Sequence, residues 1–373
     1  MARANEDKAT RYQRLQRRTS LIATAVATLA LLLVIVTGFS SALRTWASGL
    51  AGGGFVMTVL AYVVALALLN ELVQLPFSFY QGVTLERRYG LSTESAAHWW
   101  RNHLKSAALG VALGAPAALL VMALIRWSPD RWWIAAAGAF VIILVGLAQL
   151  APVLLLPLFY DFKPLDRPDL VRRLMALADR AGAHVLGVFE WRLSDRTRKA
   201  NAALTGIGRT RRILVSDTLL AEHSDDEIEV ILAHELAHHV HRDIWSAIAL
   251  ETVLIALGFY VADATLEMTT RSFGLMGKGD VAALPLLLLA AGAVSILFMP
   301  VANAVSRMHE RRADRYALTL TGNAAAFISA MKRLATQNLA EEEPPRLVEI
   351  LLHSHPSMQA RIAAAREWER SRA

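Results

Sequence analysis

Long apolar runs separated by short polar segments dominate the chain. Six of these runs are long enough to cross the hydrocarbon core of a bilayer, which takes about 20 helical residues. They occupy residues 21–43, 52–77, 107–125, 132–158, 244–266 and 281–305. The pattern predicts a multi-pass α-helical membrane protein. A long basic segment precedes the first run, so we expect that run to be a retained anchor.

The polar remainder is concentrated in two regions, residues 161–242 and 306–373. We expect them to form one domain, with the two spans of residues 243–305 inserted between them and a four-span membrane region at residues 1–160. Basic residues are concentrated before the first run, whereas the first connection holds only Arg44. The preceding basic residues are Arg3, Lys8, Arg11, Arg14, Arg17 and Arg18. Because cytoplasmic segments are enriched in Lys and Arg, the N-terminus and the polar domain are predicted to be cytoplasmic.

Shorter periodicities predict the structure of the polar domain. Residues 170–181 have helical spacing, and residues 185–193, 201–205 and 212–216 are strand candidates, with Gly206-Ile207-Gly208 as a turn signal. Ser224 and Glu227 have the spacing of a capping box, which predicts a helix over residues 225–242. The domain is therefore expected to be mainly helical with a small β-sheet. The acidic, proline-containing residues 341–345 are expected to be a solvated loop.

Composition narrows the classes of function. Apolar residues make up 55% of the 373 residues and charged residues 19%, which excludes a disordered chain and favours contact with lipid. There is no cysteine, so disulfides, iron–sulfur clusters and thiolate metal sites are excluded, and a metal would need histidine and carboxylate ligands. The net charge of +7 is explained by membrane topology. No basic patch interleaved with aromatic residues suggests a nucleic-acid partner.

The strongest chemical motif is a His-Glu-x-x-His pattern in the helix predicted over residues 225–242. His234 and His238 are four residues apart, so both imidazoles share one helix face and can bind one zinc ion. Glu235 lies beside the open position of such a metal. His239 and His241 point at least about 100° away from that face, so they are not expected to be ligands.

A third ligand has to come from elsewhere in the chain, and Glu310 is the best candidate. Glu310 and Asp314 are four residues apart, so on a helix one can bind the metal while the other accepts the N–H of a ligating imidazole. The alternative is a charged helix next to the membrane with ion pairs along its surface.

These motifs resemble those of the integral-membrane zinc metallopeptidases of the type I CAAX prenyl protease kind, within the gluzincin group. The resemblance covers nearly the whole chain. It rests on His234-Glu235-x-x-His238, Glu310 with Ala313-Asp314, Asn201-Ala202, Asp217-Thr218-Leu219-Leu220, and His355-Pro356-Ser357 with Arg361-Ile362. Residues 86–93 and 157–165 look like that family's amino-terminal membrane region. Eukaryotic members have seven spans, whereas six are counted here.

The resemblance implies a zincin-like catalytic domain with one zinc ion per chain and a water activated by Glu235. The implied metal ligands are His234, His238 and Glu310. The implied catalytic residues are Glu235, Asp314 and His355, and the implied substrate-binding residues are Asn201, Ala202 and Arg361. His355 or Arg361 would stabilise the oxyanion. His355 precedes Pro356 and is equally compatible with a loop residue that has no catalytic part.

Several functions remain open at this point. The leading hypothesis is a zinc metalloendopeptidase in the bilayer that acts on a peptide or protein, either a prenylated CAAX C-terminus or a misfolded membrane protein. A zinc transporter or sensor is the alternative from a different class. The candidate ligands flank the spans instead of lying within them, which disfavours transport. Polar residues inside the spans, namely Asn70, Glu71, Gln74, Gln149 and Glu251, can line a peptide route or make interhelical hydrogen bonds.

Overall fold

The computed structural model describes residues 7–206 and 210–372. Arg3 and part of the Gly206-Ile207-Gly208 turn signal lie outside the described residues. The N-terminal half is helical: α1 (Lys8–Val36), α2 (Phe39–Leu50), α3 (Phe55–Phe79), a π-helical turn (Tyr80–Leu85), α4 (Glu86–Arg88), α5 (Ala96–Trp127) and α6 (Trp132–Leu154). The C-terminal half adds α7 (Pro168–Arg180), α8 (Asp217–Glu222), α9 (Asp225–Val240), α10 (Asp243–Thr269), α11 (Leu284–Thr321), α12 (Ala324–Gln337), α13 (Arg346–Leu352) and α14 (Met358–Arg370).

Six helices within the described ranges are long and apolar enough to cross a membrane. They correspond to the six predicted runs, although α3 begins three residues after the start of its run, α6 ends four residues before the end of its run, and the first run is interrupted. Residues 21–43 were expected to be continuous, but α1 ends at Val36 and the chain turns at Gly38, where φ is +74°. Glycine adopts this left-handed conformation without the steric cost that other residues incur. The 12-residue α2 that follows is about 18 Å long, too short to cross the bilayer core by itself.

A four-stranded sheet lies in the polar domain, with β1 (Phe162–Pro164), β2 (Val188–Trp191), β3 (Ala202–Thr205) and β4 (Arg212–Ser216) in the order β1-β2-β4-β3. Strands β2 and β4 are parallel, and the other neighbouring pairs are antiparallel. The three predicted strands are confirmed, although β2 is shorter than expected. Strand β1 was not predicted, because it has only three residues, ends in Pro164 and lacks an alternating pattern. Strand β3 is at the edge of the sheet.

Helix α9 forms the centre of the polar domain. Its predicted capping box is confirmed, since Ser224 Oγ accepts from Glu227 N and Glu227 Oε2 accepts from Ser224 N at 2.8 Å. Leu232, Ala233 and Leu236 are almost completely buried, and α9 packs against α7, α11, α12 and β3. The helix ends at Val240, two residues earlier than predicted, because Arg242 adopts a left-handed φ of +56° and redirects the chain into α10.

Helix α11 connects the membrane region directly with the polar domain. Its 38 residues give a length of about 57 Å, whereas the bilayer core is about 30 Å thick. The C-terminal part of α11 therefore extends beyond a bilayer that surrounds its apolar N-terminal part. Arg307, Glu310 and Asp314 lie in this extension and are buried against the polar domain.

Helix α1 is attached to the polar domain by partly buried polar contacts. Lys199 Nζ donates to Glu86 Oε1 at 2.9 Å and to the hydroxyl of Tyr12 at 3.0 Å. Arg17 Nη1 lies 2.5 Å from Glu341 Oε2, and the Glu341 side chain is only 2% exposed. The expectation of a solvated loop over residues 341–345 is therefore wrong for Glu341, which pairs with a residue more than 300 positions away.

Two of the polar residues inside the predicted spans make contacts between helices. Glu71 Oε1 of α3 is 2.5 Å from His103 Nε2 of α5, and Gln74 Nε2 donates to the carbonyl of Ala23 at 3.1 Å. For Glu71 and Gln74 the interhelical alternative is therefore the one observed.

The Arg17–Glu341 pair gives a stability prediction. Arg17→Met leaves a buried carboxylate without its cation, so we expect a loss of about 3 kcal/mol in the free energy of unfolding. Replacing both partners by methionine should recover most of this loss. Thermal unfolding in detergent measures the effect, with Arg18→Met, at the exposed neighbouring arginine, as the matched control. A double variant as unstable as Arg17→Met would contradict the prediction.

Candidate metal centre

Helices α9 and α11 bring the predicted ligands together. His234 and His238 lie one turn apart on α9 with their ring centroids 5.0 Å apart. The carboxylate of Glu310 on α11 faces both rings. One ligand atom from each of the three residues can be chosen so that all lie within 4.8 Å of one another, and no other such histidine and carboxylate group is found in the described ranges.

The converging atoms fit a metal cation. Glu310 Oε2 is 3.2 Å from His234 Nε2, and Glu310 Oε1 is 3.4 Å from His238 Nε2. Glu310 Oε2 is buried without a hydrogen-bond partner among the described residues. A buried carboxylate oxygen without a donor is costly, and a cation between the three side chains removes that cost. Two imidazoles and a carboxylate are also a ligand set typical of metallopeptidases.

A second carboxylate lies behind each imidazole. Asp314 Oδ1 is 2.9 Å from His234 Nδ1, and Asp243 Oδ2 is 2.9 Å from His238 Nδ1. When each Nδ1 carries the proton, each Nε2 presents its lone pair toward Glu310. Asp314 was predicted from the sequence for this position, whereas Asp243 was not. The available signal was a carboxylate five residues after His238, at the first position of the next helix.

Both of these carboxylates are paired with arginine. Arg361 is buried and donates from Nε to Asp314 Oδ2 at 2.8 Å and from Nη2 to Asp314 Oδ1. Arg312 pairs with Asp243. The structure thus places Arg361 behind the metal-facing groups, where it neutralises Asp314. Its predicted contact with substrate stays a prediction.

The buried position changes the protonation of the site in the metal-free protein. Burial alone lowers the pKa of His234, but the carboxylates of Asp314 and Glu310 outweigh it and raise the pKa to about 9. A metal therefore has to displace a proton from His234 at neutral pH. Burial also raises the pKa of Glu235 above its ordinary value, which makes this carboxylate a stronger base.

His355 lies on the open side of the group. Its Nε2 is 3.3 Å from Glu310 Oε1, and its side chain is 59% exposed. His239 and His241 lie outside the group, and His241 Nδ1 is instead 2.8 Å from the carbonyl oxygen of Ala237.

Asn201 and Ala202 lie at the start of the edge strand β3. Asn201 is exposed and forms backbone contacts with Ser216, while the Ala202 side chain is buried in the core. The outer edge of β3 pairs with no other strand among the described residues. What β3 offers to a ligand here is therefore mainly its backbone and the exposed Asn201 side chain. Helix α9 packs against this strand.

A His-Glu-x-x-His helix, a glutamate from a second helix and a set of apolar spanning helices define an integral-membrane metallopeptidase. Residues 1–161 match the domain described as CAAX prenyl protease N-terminal, five membrane helices, and residues 164–369 match peptidase family M48. The chain belongs to peptidase family M48, which confirms the resemblance drawn from the motifs.

Relatives match along most of their length. An uncharacterized metalloprotease of Bacillus subtilis, YhfN, is 34% identical over 340 residues, covering 90% of this chain and 79% of its own. CAAX prenyl protease 1 of Saccharomyces cerevisiae is 29% identical over 333 residues, covering 82% of this chain and 71% of its own. The crystal structure of S. mikatae Ste24p superposes with a TM-score of 0.87 at 24% identity, covering 96% of this chain and 88% of that one, which shows the same fold.

Metal content tests the assignment of ligands. We expect the purified protein to bind one metal ion per chain and Glu310→Ala to lose it, because two imidazoles alone hold the ion weakly. Elemental analysis after gel filtration measures this, with His241→Ala as the control. Full metal content in Glu310→Ala would contradict the assignment.

The carboxylates that contact Nδ1 of the ligating histidines are expected to affect metal affinity separately from the ligands themselves. Asp243→Asn removes the acceptor that orients His238, so we expect metal affinity to fall about 10–100-fold. Competition with a chelating dye measures the affinity, and Asp280→Asn, a buried carboxylate paired with Arg44 away from the site, is the matched control. Unchanged affinity in Asp243→Asn would show that Asp243 does not support the site.

Proposed function

We propose that the metal is zinc, one per chain, bound by His234, His238 and Glu310, and that the protein cleaves peptide bonds next to the membrane. The observation that carries the proposal is the convergence of these three side chains beside Glu235, with a carboxylate behind each imidazole. Nitrogen and carboxylate ligands without sulfur suit Zn²⁺ in a catalytic site, which keeps one position open.

Each side chain around the metal has its own role in the proposed reaction. When bound, zinc supplies a Lewis acid that polarises the scissile carbonyl and lowers the pKa of water toward about 7. Glu235 takes the proton from the attacking water and returns it to the leaving amine. Asp314 and Asp243 keep the imidazoles in one tautomer and orientation. In this proposal His355, on the open side, donates a hydrogen bond to the developing negative charge.

The edge strand β3 supports binding of an extended peptide. Backbone pairing with an unpartnered strand tolerates many side chains, so specificity has to come from elsewhere. Ala202 contributes its backbone, and the exposed Asn201 contributes a side-chain amide at the start of the strand. Asp314 and Arg361 complete the proposed site as a buried pair.

The membrane region points to a substrate with a lipid-soluble part. The described residues form six apolar helices, two of which, α10 and α11, carry residues of the site, and several relatives that align over most of their length are named CAAX prenyl proteases. We therefore propose a prenylated C-terminal peptide as substrate, with removal of the C-terminal tripeptide.

The proposed organisation has a membrane region at residues 1–160, a catalytic domain of residues 161–242 and 306–373, and two inserted spans at residues 243–305. The excess of basic residues before α1 supports a cytoplasmic N-terminus and catalytic domain. A nucleic-acid partner forms no part of the proposal.

Peptide cleavage tests the proposal. Detergent-purified protein is incubated with a quenched farnesylated CAAX peptide and with the same peptide lacking the lipid. We expect chelator-sensitive cleavage, faster for the farnesylated peptide. Glu235→Gln should bind zinc normally but lose about 10²–10⁴-fold in kcat because the base is absent. Glu229→Gln, on the same helix, is the matched control.

The outcomes of the cleavage experiment distinguish the alternative functions. Cleavage of both peptides at the same rate favours a quality-control protease with broad specificity. Stoichiometric zinc without cleavage of either peptide turns the assignment toward transport or sensing. Retained cleavage in Glu235→Gln would rule out this glutamate as the base.

A further inference from the structure

One face of α11 carries four polar side chains, of which the chemistry above uses two. Asn303, Arg307, Glu310 and Asp314 follow one another at intervals of four, three and four residues, which places them along a single face of the helix. Glu310 and Asp314 belong to the metal centre. Asn303 and Arg307 contact the segment that leads to His355.

Arg307 binds the C-terminal end of α13. It is only 9% exposed, and its Nη1 donates to the carbonyls of Glu349 at 2.9 Å, Ile350 at 3.2 Å and His353 at 2.6 Å. Asn303 Nδ2 adds a bond to the Leu351 carbonyl at 2.8 Å. The last carbonyls of a helix lack partners within the helix and carry partial negative charge, so a buried guanidinium stabilises this end strongly.

Residues 353–357 join α13 to α14 and are held at both ends. Arg307 holds the carbonyl of His353, and Glu349 Oε1 accepts from the amide of Ser357 at 3.1 Å. Between these anchors more than half of the His355 side chain is exposed to solvent. Among the described residues its ring makes one further hydrogen bond, between Nδ1 and Ser354 Oγ at 2.9 Å. The position of the ring therefore depends on the anchored backbone.

We propose that Arg307 is a positioning residue for His355. Its guanidinium fixes the start of the 353–357 loop to the turn of α11 that precedes Glu310, so the imidazole of His355 stays 3.3 Å from Glu310 on the open side of the centre. The effect of Arg307 on catalysis rests on the proposed function, whereas its anchoring of the loop does not.

Hydrogen exchange tests the anchoring without substrate. In Arg307→Gln, amides of residues 353–357 should exchange at least about tenfold faster than in the wild type, while those of α9 stay protected. Arg311→Gln, an exposed arginine on the same helix, is the matched control. If Arg307→Gln does not fold, Arg307→Lys keeps the charge with a differently shaped donor group and serves instead. Unchanged exchange in the loop would overturn the proposal.

A double-mutant cycle tests whether Arg307 affects catalysis through His355. With the farnesylated peptide, Arg307→Gln should lower kcat about tenfold or more with little change in KM and in zinc content, since a misplaced group loses effect in the transition state. In a His355→Ala background the same substitution should change kcat less than twofold. Equal losses in both backgrounds would show that Arg307 acts by another route. If the wild-type protein does not cleave the peptide, the proposed function is contradicted. Hydrogen exchange of residues 353–357 would still test whether Arg307 anchors the loop.

Discussion

The metal centre depends on the orientation of two imidazole rings. Each ring of the His234–His238 pair has a carboxylate at Nδ1, and each of these carboxylates is paired with an arginine. A buried carboxylate without its cation would be strongly destabilised, and an imidazole without its carboxylate could rotate or change tautomer. Arginine, aspartate and histidine therefore form two hydrogen-bonded series, Arg361–Asp314–His234 and Arg312–Asp243–His238, and each series ends at Glu310. The residues of the two series lie on α9, α10, α11 and α14, so the same contacts stabilise the fold of the domain and the geometry of the site.

The same contacts attach the site to the membrane helices. Helix α11 continues without a break from its apolar part to Glu310 and Asp314, and α10 begins with Asp243, which holds His238. Only the left-handed turn at Arg242 separates α9 from α10. Because Glu310 lies on the spanning helix α11 and the carboxylate that holds His238 begins the spanning helix α10, the site has a fixed height relative to the bilayer. Such an arrangement suits the proposed cleavage of a peptide whose lipid stays in the membrane.

Local periodicity explains why part of the site could be predicted. His234, Glu235 and His238 lie within two turns of one capped helix, and Glu310 and Asp314 lie within one turn of another, so helical geometry alone sets their relative directions. The partners Asp243, Arg312 and Arg307 depend on how α9, α10, α11 and α13 pack together, which no short pattern encodes. Glu341 was misplaced for the same reason, because its burial depends on Arg17 in α1, a contact between distant parts of the chain. The break at Gly38 was not predicted because residues 21–36 are mostly apolar and residues 39–43 continue the run with Ser40 and Ser41 as the only polar residues.

X-ray absorption at the zinc edge of the purified, metal-loaded protein tests the central claim most directly. We expect four nitrogen or oxygen ligands at about 2.0–2.1 Å, two of them with the multiple-scattering signature of imidazole, and we expect His238→Ala to lose most of its zinc, as Glu310→Ala should, because two ligands hold the ion weakly. A spectrum with only oxygen ligands, or one unchanged in His238→Ala, would contradict a zinc centre built on His234, His238 and Glu310.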